Sequence, residues 1–210
     1  MPVRARDLAP PLLTRAAKRA QSRFRESRAR GPLRSADRLH LGCGPRILSG
    51  WANLDRDGGP GSTHVDLTRP LPVASGTIKY IYSEHFIEHI SRAQARKLLA
   101  ECHRALGTGG VIRLSTPDLA FMVECYQAGS IDEWSEMDWV ADTPCQLINE
   151  GLRKWGHTYV YDEAELTAAL DSVGFRDVHR VEWRESDHEA LVGLESRPFH
   201  HDLILEGTKG

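Results

Sequence analysis

A glycine-containing turn after a short apolar strand is the first feature of the sequence that suits ligand binding. Residues 40–44 read HLGCG, a strand that ends in two glycines. Glycine tolerates positive φ and has no side chain, so this turn can bring bare backbone close to a ligand. In open α/β sheets, ligands bind at the carboxyl ends of the strands, which is where the turn falls. An ordinary tight turn explains the pattern equally well.

Acidic residues follow the next two predicted strands. Asp55 ends a strand 11 residues after Gly44, and Asp66 ends a brief strand further along. A carboxylate at the first position can accept both ribose hydroxyls of a nucleoside. Asp66 and the neighbouring Leu67 can border its base. Asp57 competes with Asp55 for the ribose, and a solvated turn aspartate is the alternative explanation.

A segment with two histidines follows the fourth predicted strand. Residues 83–89 read SEHFIEH, in which His85, Glu88 and His89 match the H-x-x-E-H order of inverted zinc peptidases. Two histidines four residues apart on a helix can face one metal. We expect no metal site, because no distant third acidic ligand is marked and the flanking motifs fit a nucleoside pocket better. His89 is expected to face solvent or pack locally.

Strands and helices alternate around these motifs. Strands are predicted at 38–41, 51–55, 64–66, 78–82 and 111–115, with two more at 176–184 and 200–208. Helices are predicted from about residue 85, over 91–106 after an N-cap at Ser91, and over 162–173 with a capping box between Asp162 and Glu165. This order predicts an α/β fold, with a mainly parallel sheet and helices on both faces. The last two strands lack an intervening helix, which favours an antiparallel edge.

Taken in order, the motifs resemble those of class I S-adenosylmethionine-dependent methyltransferases. The matching segments are LHLGCGP, NLD, VDL, SEHFIEHI, RALGTGGVIRLSTPD and HDLILEGTK. The resemblance covers residues 37–210 and is closer to predicted bacterial methyltransferases found beside sugar and cell-envelope genes. It implies a Rossmann-like, seven-stranded fold with an antiparallel last strand. It also implies S-adenosyl-L-methionine as the cofactor and S-adenosyl-L-homocysteine as the product.

The resemblance assigns the cofactor to residues at the strand ends: Gly42, Cys43, Gly44, Asp55, Asp66, Leu67, Ser83, Glu84 and His85. The glycine turn would approach the methionine and ribose, and Asp55 would bind the ribose. Asp66 and Leu67 would border the adenine. The segment 83–85 would lie between the cofactor and the acceptor.

Catalysis of methyl transfer requires in-line approach, exclusion of water and, in some enzymes, a base. His85 and His157 are the candidate catalytic residues, and a hydrogen-bonded loop histidine is the alternative for His157. The predicted reaction is methylation of a small-molecule or glycan acceptor, with a hydroxyl as the preferred target. The competing hypothesis is a catalytically inactive, cofactor-binding regulatory or partner domain of the same fold.

The first motif departs from the family pattern. His40 stands where an acid is usual, and the usual third glycine is absent. Only eight residues separate Gly44 from Asn53, whereas a crossover with a full helix needs about 10–12 residues. We therefore expect the first helix to be abbreviated or replaced by a turn near residues 47–48.

Charge divides the chain into two unlike pieces. The net charge of the 210 residues is −2, but residues 1–38 carry +8 and residues 39–210 carry −10. We therefore divide the chain into a basic arm and linker, 1–36, and a methyltransferase domain, 37–210, with a tryptophan-containing insert at 118–156. We expect this insert to form a lid that shapes the acceptor pocket, and ordinary core under a long loop is the alternative. The arm is expected to pack on the body or a second subunit, or to contact an anionic membrane surface. Nucleic acid is the least favoured partner.

Composition limits the cellular setting. The sequence has no apolar run of about 18 residues, the length a spanning helix needs. The cysteines are scattered without a C-x-x-C pair: Cys43, Cys102, Cys125 and Cys145. This pattern argues against a disulfide framework or zinc ribbon and favours the cytoplasm, with peripheral membrane contact as an option.

Overall fold

One seven-stranded sheet organises the part of the chain that the computed structural model describes, residues 33, 35–131, 141–197 and 201–210. The strands are β1 (Arg38–Leu41), β2 (Ala52–Asp55), β3 (Thr63–His64), β4 (Ile78–Glu84), β5 (Leu106–Pro117), β6 (Phe175–Arg180) and β7 (Asp202–Lys209). The α-helices are α1 (Arg92–Ala105), α2 (Leu119–Ala128), α3 (Pro144–Arg153) and α4 (Glu163–Asp171).

The strand order is β3-β2-β1-β4-β5-β7-β6. Strands β1 to β5 pair in parallel, and β7 runs antiparallel to both β5 and β6. The predicted α/β class, mainly parallel sheet and antiparallel last strand are therefore confirmed. The carboxyl ends of β1, β2 and β4 meet at one edge, as the motif order requires.

The two faces of the sheet differ in polarity. On one face, Leu41 and Ile112 share the main apolar core with Leu99 of α1 and Leu170 of α4, and the two helices contact each other. Because side chains alternate along a strand, the residues between the core positions point to the opposite face. That face carries buried polar residues, among them His40, Tyr82, Arg113 and Glu206.

Capping decides where the helices begin. Ser91 and Gln94 form a complete capping box at α1. Asp162 accepts a hydrogen bond from the Glu165 amide at α4, while the Glu165 carboxylate accepts one from Arg92. The helix predicted from about residue 85 is wrong: only a 3₁₀ turn, Ile87–His89, precedes α1. His85 itself has φ 49°, which turns the chain out of the strand in a non-helical direction.

A turn replaces a helix between β1 and β2, as expected: the fully described stretch 42–51 contains no helix. The side chain of Asn53 holds this turn in place. Its amide oxygen accepts from the Leu48 backbone amide at 2.9 Å and pairs with His40 Nδ1 at 3.0 Å. Its amide nitrogen donates to the carbonyls of Leu48 and Trp51, each at 3.0 Å. Hydrogen bonds from one buried side chain thus do the positioning that a crossover helix would otherwise do.

In the structure the insert is taken as residues 119–160, and it leaves and rejoins the body at one point. Asp118 and Tyr161 form an isolated parallel bridge, and the Leu119 amide donates to the Tyr161 carbonyl at 2.9 Å. Between them, α2 and α3 pack around a second small core that includes Met122 and Leu147. Residues 132–140 of the insert, with two of its tryptophans, lie outside the described residues.

Residues 1–32 and 34 of the basic arm and linker lie outside the described residues. Leu33, within the predicted linker, is buried in the main core. Apolar packing therefore begins a few residues before the predicted domain boundary at residue 37. None of the helices in the described ranges is long and apolar enough to span a membrane.

Candidate active site

A cavity of about 340 Å³ opens at the carboxyl ends of β1, β2 and β4. Five of the predicted cofactor residues line it directly: Gly42, Asp55, Asp66, Leu67 and His85. Phe86, His89 and Ile90 complete the opposite wall. The cavity therefore combines carboxylates, apolar surface and a glycine turn, the features that suit a nucleoside.

Gly42 lies where no side chain fits. Its φ is +65°, and a Cβ placed on it would meet the ring of Phe86 at 2.5 Å. The amides of Gly42 and Cys43 both donate to the Leu54 carbonyl, at 2.9 and 3.2 Å. The turn is thus fastened to β2 and leaves bare backbone along the cavity, as the sequence predicts.

Asp55 is held in place by two backbone amides. Its Oδ2 accepts from Gly44 at 2.9 Å, and its Oδ1 accepts from Asp57 at 2.8 Å. Each carboxylate oxygen can accept more than one hydrogen bond. Asp55 therefore keeps acceptor capacity on the cavity side while its orientation is fixed. Asp57 also lines the cavity, but its side chain is exposed.

Asp66 stays ionised beside Leu67. Partial burial alone would raise the pKa of Asp66, but hydrogen bonds from the Thr68 hydroxyl and amide, and the charge of Arg69, outweigh it and lower that pKa. The Thr68 hydroxyl donates to Oδ1 at 2.6 Å, and Arg69 lies 3.1 Å from Oδ2. A fixed carboxylate next to the buried Leu67 provides a polar and an apolar contact at one end of the cavity.

The side chains of three other predicted cofactor residues point elsewhere. Burial raises the pKa of Cys43 to about 11, so this side chain stays a thiol, and its Sγ contacts the Gly44 carbonyl at 3.5 Å. Ser83 Oγ donates to the Leu41 carbonyl at 3.1 Å. Glu84 pairs with Arg46 at 3.0 Å and accepts from the Ser196 hydroxyl at 2.7 Å. The roles of Cys43, Ser83 and Glu84 in cofactor binding stay predictions. Their side chains lie behind the residues that line the cavity.

His85 is held between two carboxylates. Its Nε2 lies 2.8 Å from Asp202 Oδ2, and its Nδ1 lies 3.3 Å from Glu88 Oε1. Burial alone would lower the pKa of His85, but Asp202 and Glu88 together raise it to about 9. A positive φ in a residue other than glycine costs roughly 1–2 kcal/mol, and such strain is concentrated at functional sites.

Glu88 is fully buried at the centre of a histidine cluster, which we define as His85, Glu88, His89 and His157. Its Oε2 accepts from the Thr116 hydroxyl at 3.1 Å. Its Oε1 accepts no hydrogen bond of good geometry from the described residues. Desolvation opposes ionisation, but the neighbouring His85 outweighs it and lowers the pKa of Glu88.

His157 joins the cluster from the insert. Its Nδ1 lies 2.7 Å from the Gly151 carbonyl, an acceptor only, so Nδ1 carries the proton and Nε2 has the lone pair. Burial lowers the pKa of His157, which favours this neutral ring. Its ring lies 5.0 Å from that of His89, which lines the cavity. The prediction that His89 faces solvent or packs locally does not include this contact.

No protein-family model matches the sequence, and no curated protein matches it. Solved structures are similar in fold. An S-adenosylmethionine-dependent methyltransferase from Archaeoglobus fulgidus has a TM-score of 0.53 and 16% identity, covering 91% of this chain and 94% of its own. One from Mesorhizobium loti has a TM-score of 0.52 and 19% identity, covering 84% and 92%.

A third similar structure comes from Thermotoga maritima and is named as an S-adenosylmethionine-dependent methyltransferase, possible histamine N-methyltransferase. Its TM-score is 0.51 at 13% identity, covering 90% of this chain and 89% of its own. At such identities the likeness concerns the fold. The chain therefore has the Rossmann-like fold of class I S-adenosylmethionine-dependent methyltransferases, and its cavity lies at the edge where the motifs predict the cofactor.

Proposed function

We propose that this protein is an S-adenosylmethionine-dependent methyltransferase that methylates a hydroxyl of a small molecule or saccharide. The observation that carries the proposal is the single cavity shared by Gly42, Asp55 and Asp66. Three separate strand ends contribute these residues, and their chemistry suits the three parts of the cofactor. The fold agrees with this use of the cavity.

Each lining residue has a distinct task in this proposal. Asp55, already oriented by two amides, accepts the ribose hydroxyls, and Asp66 with Leu67 borders the adenine. The bare backbone at Gly42 lets the methionine part lie against the turn. The cofactor supplies an electrophilic methyl group on a sulfonium. The residues of the chain bind it, orient it and exclude water.

The acceptor is proposed to enter from the side of the histidine cluster. His89 lines the cavity and His157 lies behind it. Trp155, which is 53% exposed, offers an apolar surface next to His157 at a ring separation of 5.7 Å. Imidazole groups beside an aromatic surface suit an acceptor that carries hydroxyls. This arrangement supports O-methylation and a small or saccharide acceptor.

Binding of S-adenosylhomocysteine to the purified protein, measured by calorimetry, tests the cofactor assignment. The wild type is expected to bind one equivalent. Asp55→Ala should weaken binding at least about tenfold, because hydrogen bonds to a charged group contribute about 1.5–3 kcal/mol each. Asp57→Ala leaves the backbone amide that orients Asp55 intact and tests the competing assignment, so it should weaken binding less than Asp55→Ala. Asp171→Ala, at an exposed position outside the cavity lining, is the control and should stay within about twofold of wild type. Absence of binding in the wild type would refute the proposal.

Turnover requires a separate measurement. The protein is incubated with S-adenosylmethionine and a panel of hydroxyl-bearing sugars and small molecules, and formation of S-adenosylhomocysteine is followed. Acceptor-dependent product supports the enzyme. Tight cofactor binding with no turnover on any acceptor would favour a cofactor-binding partner domain instead.

The basic arm is proposed to act outside the cofactor site, at a partner protein or an anionic membrane surface of a cytoplasmic protein. Its net positive charge supports this role. Because Leu33 is part of the core, the informative truncation removes residues 1–32 only. Cofactor affinity that falls with this truncation would contradict the division.

A further inference from the structure

Three donor groups from two distant parts of the chain converge at the rim of the cavity. One ligand atom each from Glu88, His89 and His157 lie within 4.8 Å of one another. Glu88 Oε1 is 3.9 Å from His89 Nε2. Ligands of one metal ion lie about 2.0–2.2 Å from it, which places them roughly 3–4 Å apart. The cluster therefore approaches the spacing of a metal site and needs only small side-chain shifts to reach it.

One oxygen of the carboxylate in this cluster accepts no hydrogen bond of good geometry from the described residues. Glu88 is fully buried, and this oxygen is its Oε1. Thr116 holds the other oxygen at 3.1 Å and so fixes the direction of Oε1. A buried, unsatisfied carboxylate oxygen costs free energy unless a cation or donor meets it. His85 Nδ1, 3.3 Å away, meets part of this need.

His157 carries the second feature of a metal ligand. A metal-binding histidine usually donates its other ring N–H to a carbonyl or carboxylate, which fixes its tautomer and orientation. His157 Nδ1 lies 2.7 Å from the Gly151 carbonyl, so its Nε2 lone pair is the one available.

Backbone contacts bring the two parts of the chain together. The amides of Thr158 and Tyr159 donate to the Glu88 carbonyl at 2.7 and 3.1 Å. The residue next to His157 is therefore fastened to the turn that carries Glu88 and His89. This attachment holds the three donors together before any ion arrives.

We propose that Glu88, His89 and His157 bind a divalent transition-metal ion of the zinc class at the rim of the cavity. Two imidazoles and one carboxylate are a donor set that zinc uses in catalytic sites, with a further position left for water or substrate. The site differs from the H-x-x-E-H arrangement, because residues 87–89 form a single 3₁₀ turn and the third ligand comes from the insert.

The position of the ion suggests its use. His89 lines the cavity, so an open coordination position next to it would face an entering acceptor. A zinc-class ion lowers the pKa of a bound hydroxyl and orients it. This step rests on the proposed methyl transfer, whereas the binding of the ion does not.

Calorimetric titration of the full-length, chelator-treated protein with Zn²⁺ tests the site. The wild type is expected to bind one equivalent. Loss of an outer-shell partner already weakens metal binding about 10–100-fold, so His89→Ala and His157→Ala should each weaken Zn²⁺ binding at least about tenfold. His179→Ala, an exposed histidine on β6, and Cys145→Ala, an exposed thiol, should leave the affinity unchanged.

Two further measurements keep the test decisive. Glu88→Gln should also lose Zn²⁺ binding, and circular dichroism shows whether this buried variant remains folded; His89→Ala and His157→Ala decide the question if it does not. Absence of Zn²⁺ binding in the wild type, or unchanged affinity in both histidine variants, would overturn the proposal. S-adenosylhomocysteine affinity, measured on the same His157→Ala sample, should stay at the wild-type value, so failure of the metal site is distinguishable from failure of the cofactor site.

Discussion

Two of the buried charged clusters among the described residues differ in whether their hydrogen bonds are complete. In the arginine cluster, Arg113 donates to Glu195 and Glu206 at 2.6 Å each and to the carbonyl of Glu185 at 2.6 Å. In the histidine cluster, Glu88 Oε1 accepts no good hydrogen bond from the described residues. We call the first cluster closed, because its hydrogen bonds are complete. We call the second cluster open, because one of its carboxylate oxygens accepts no good hydrogen bond.

Because of this difference, we assign the arginine cluster to stability and the histidine cluster to ligand binding. The arginine cluster does not line the cavity, so its role is to hold the loop 181–197 against the polar face of the sheet. An open cluster keeps a buried carboxylate oxygen that costs stability and can be satisfied by a ligand. Groups beside a cavity whose pKa is shifted, or whose hydrogen bonds are incomplete, are therefore better markers of a functional site than buried charge by itself.

The largest effect is expected at the closed cluster. Arg113→Met removes the cation and leaves two buried carboxylates without a partner. Breaking a buried ion pair in this way costs about 3–5 kcal/mol, and urea denaturation measures it. Arg176→Met, on the exposed side of β6, is the control and should change stability by less than about 0.5 kcal/mol.

The contributions of the two clusters to stability can be compared directly. Glu88→Gln, measured in the presence of a chelator, should cost less than Arg113→Met, because glutamine can still accept from Thr116 and His85 keeps Asp202. A larger loss for Glu88→Gln would show that the histidine cluster is the more important one for stability.

Local sequence patterns predict the edge of the sheet that carries the cavity. Asp55 ends β2 and Asp66 lies two residues after β3. The carboxyl ends of parallel strands meet at one edge, so chain order alone brings the two residues together. The contact of His157 with His89 is different, because it depends on Thr158 and Tyr159 donating to the Glu88 carbonyl. No local pattern encodes a pairing across some 70 residues, and the sequence therefore predicts neither this contact nor the site it forms.

Two local signals were nevertheless present. Arg113 lies between Ile112 and Leu114 in a strand whose neighbours are buried, and a central strand is normally apolar throughout. A charge there requires buried partners, which the loop before β7 supplies. The helix predicted from about residue 85 fails because the capping box at Ser91 sets the helix start. His85, with φ 49°, instead forms a turn at the position where the helix was predicted to begin.

A smaller, pH-dependent effect is expected at His40, on the same polar face as Arg113. Burial lowers the pKa of His40, with Arg46 acting in the same direction and Asn53, Glu84 and Asp55 opposing. The unfolded chain therefore binds the proton more tightly than the folded protein. Stability is complete above the unfolded pKa of about 6.5 and is lost as pH falls below it.

Thermal unfolding at pH 7.5 and pH 5.0 measures this effect. His40→Asn keeps a donor close to the position of Nδ1, facing Asn53, but cannot titrate. The drop in melting temperature between the two pH values should be smaller in His40→Asn than in the wild type. Equal drops would mean that His40 is not held neutral by its surroundings.

The smallest effect is expected at Glu84, which the sequence assigns to the cofactor and the structure places in a closed network. Its carboxylate is shared by Arg46, the Ser196 hydroxyl and the Ser196 amide. Glu84→Gln keeps the shape and an acceptor for Ser196 but loses the charge that faces Arg46, a partly exposed pair that contributes about 1 kcal/mol or less. If closed clusters support stability and open ones bind ligands, this variant lowers the free energy of unfolding by that small amount and leaves S-adenosylhomocysteine affinity within about twofold of wild type. A tenfold loss of affinity, comparable to that of Asp55→Ala, would instead show that Glu84 takes part in the cofactor site, as the sequence predicts, and that its network does more than support stability.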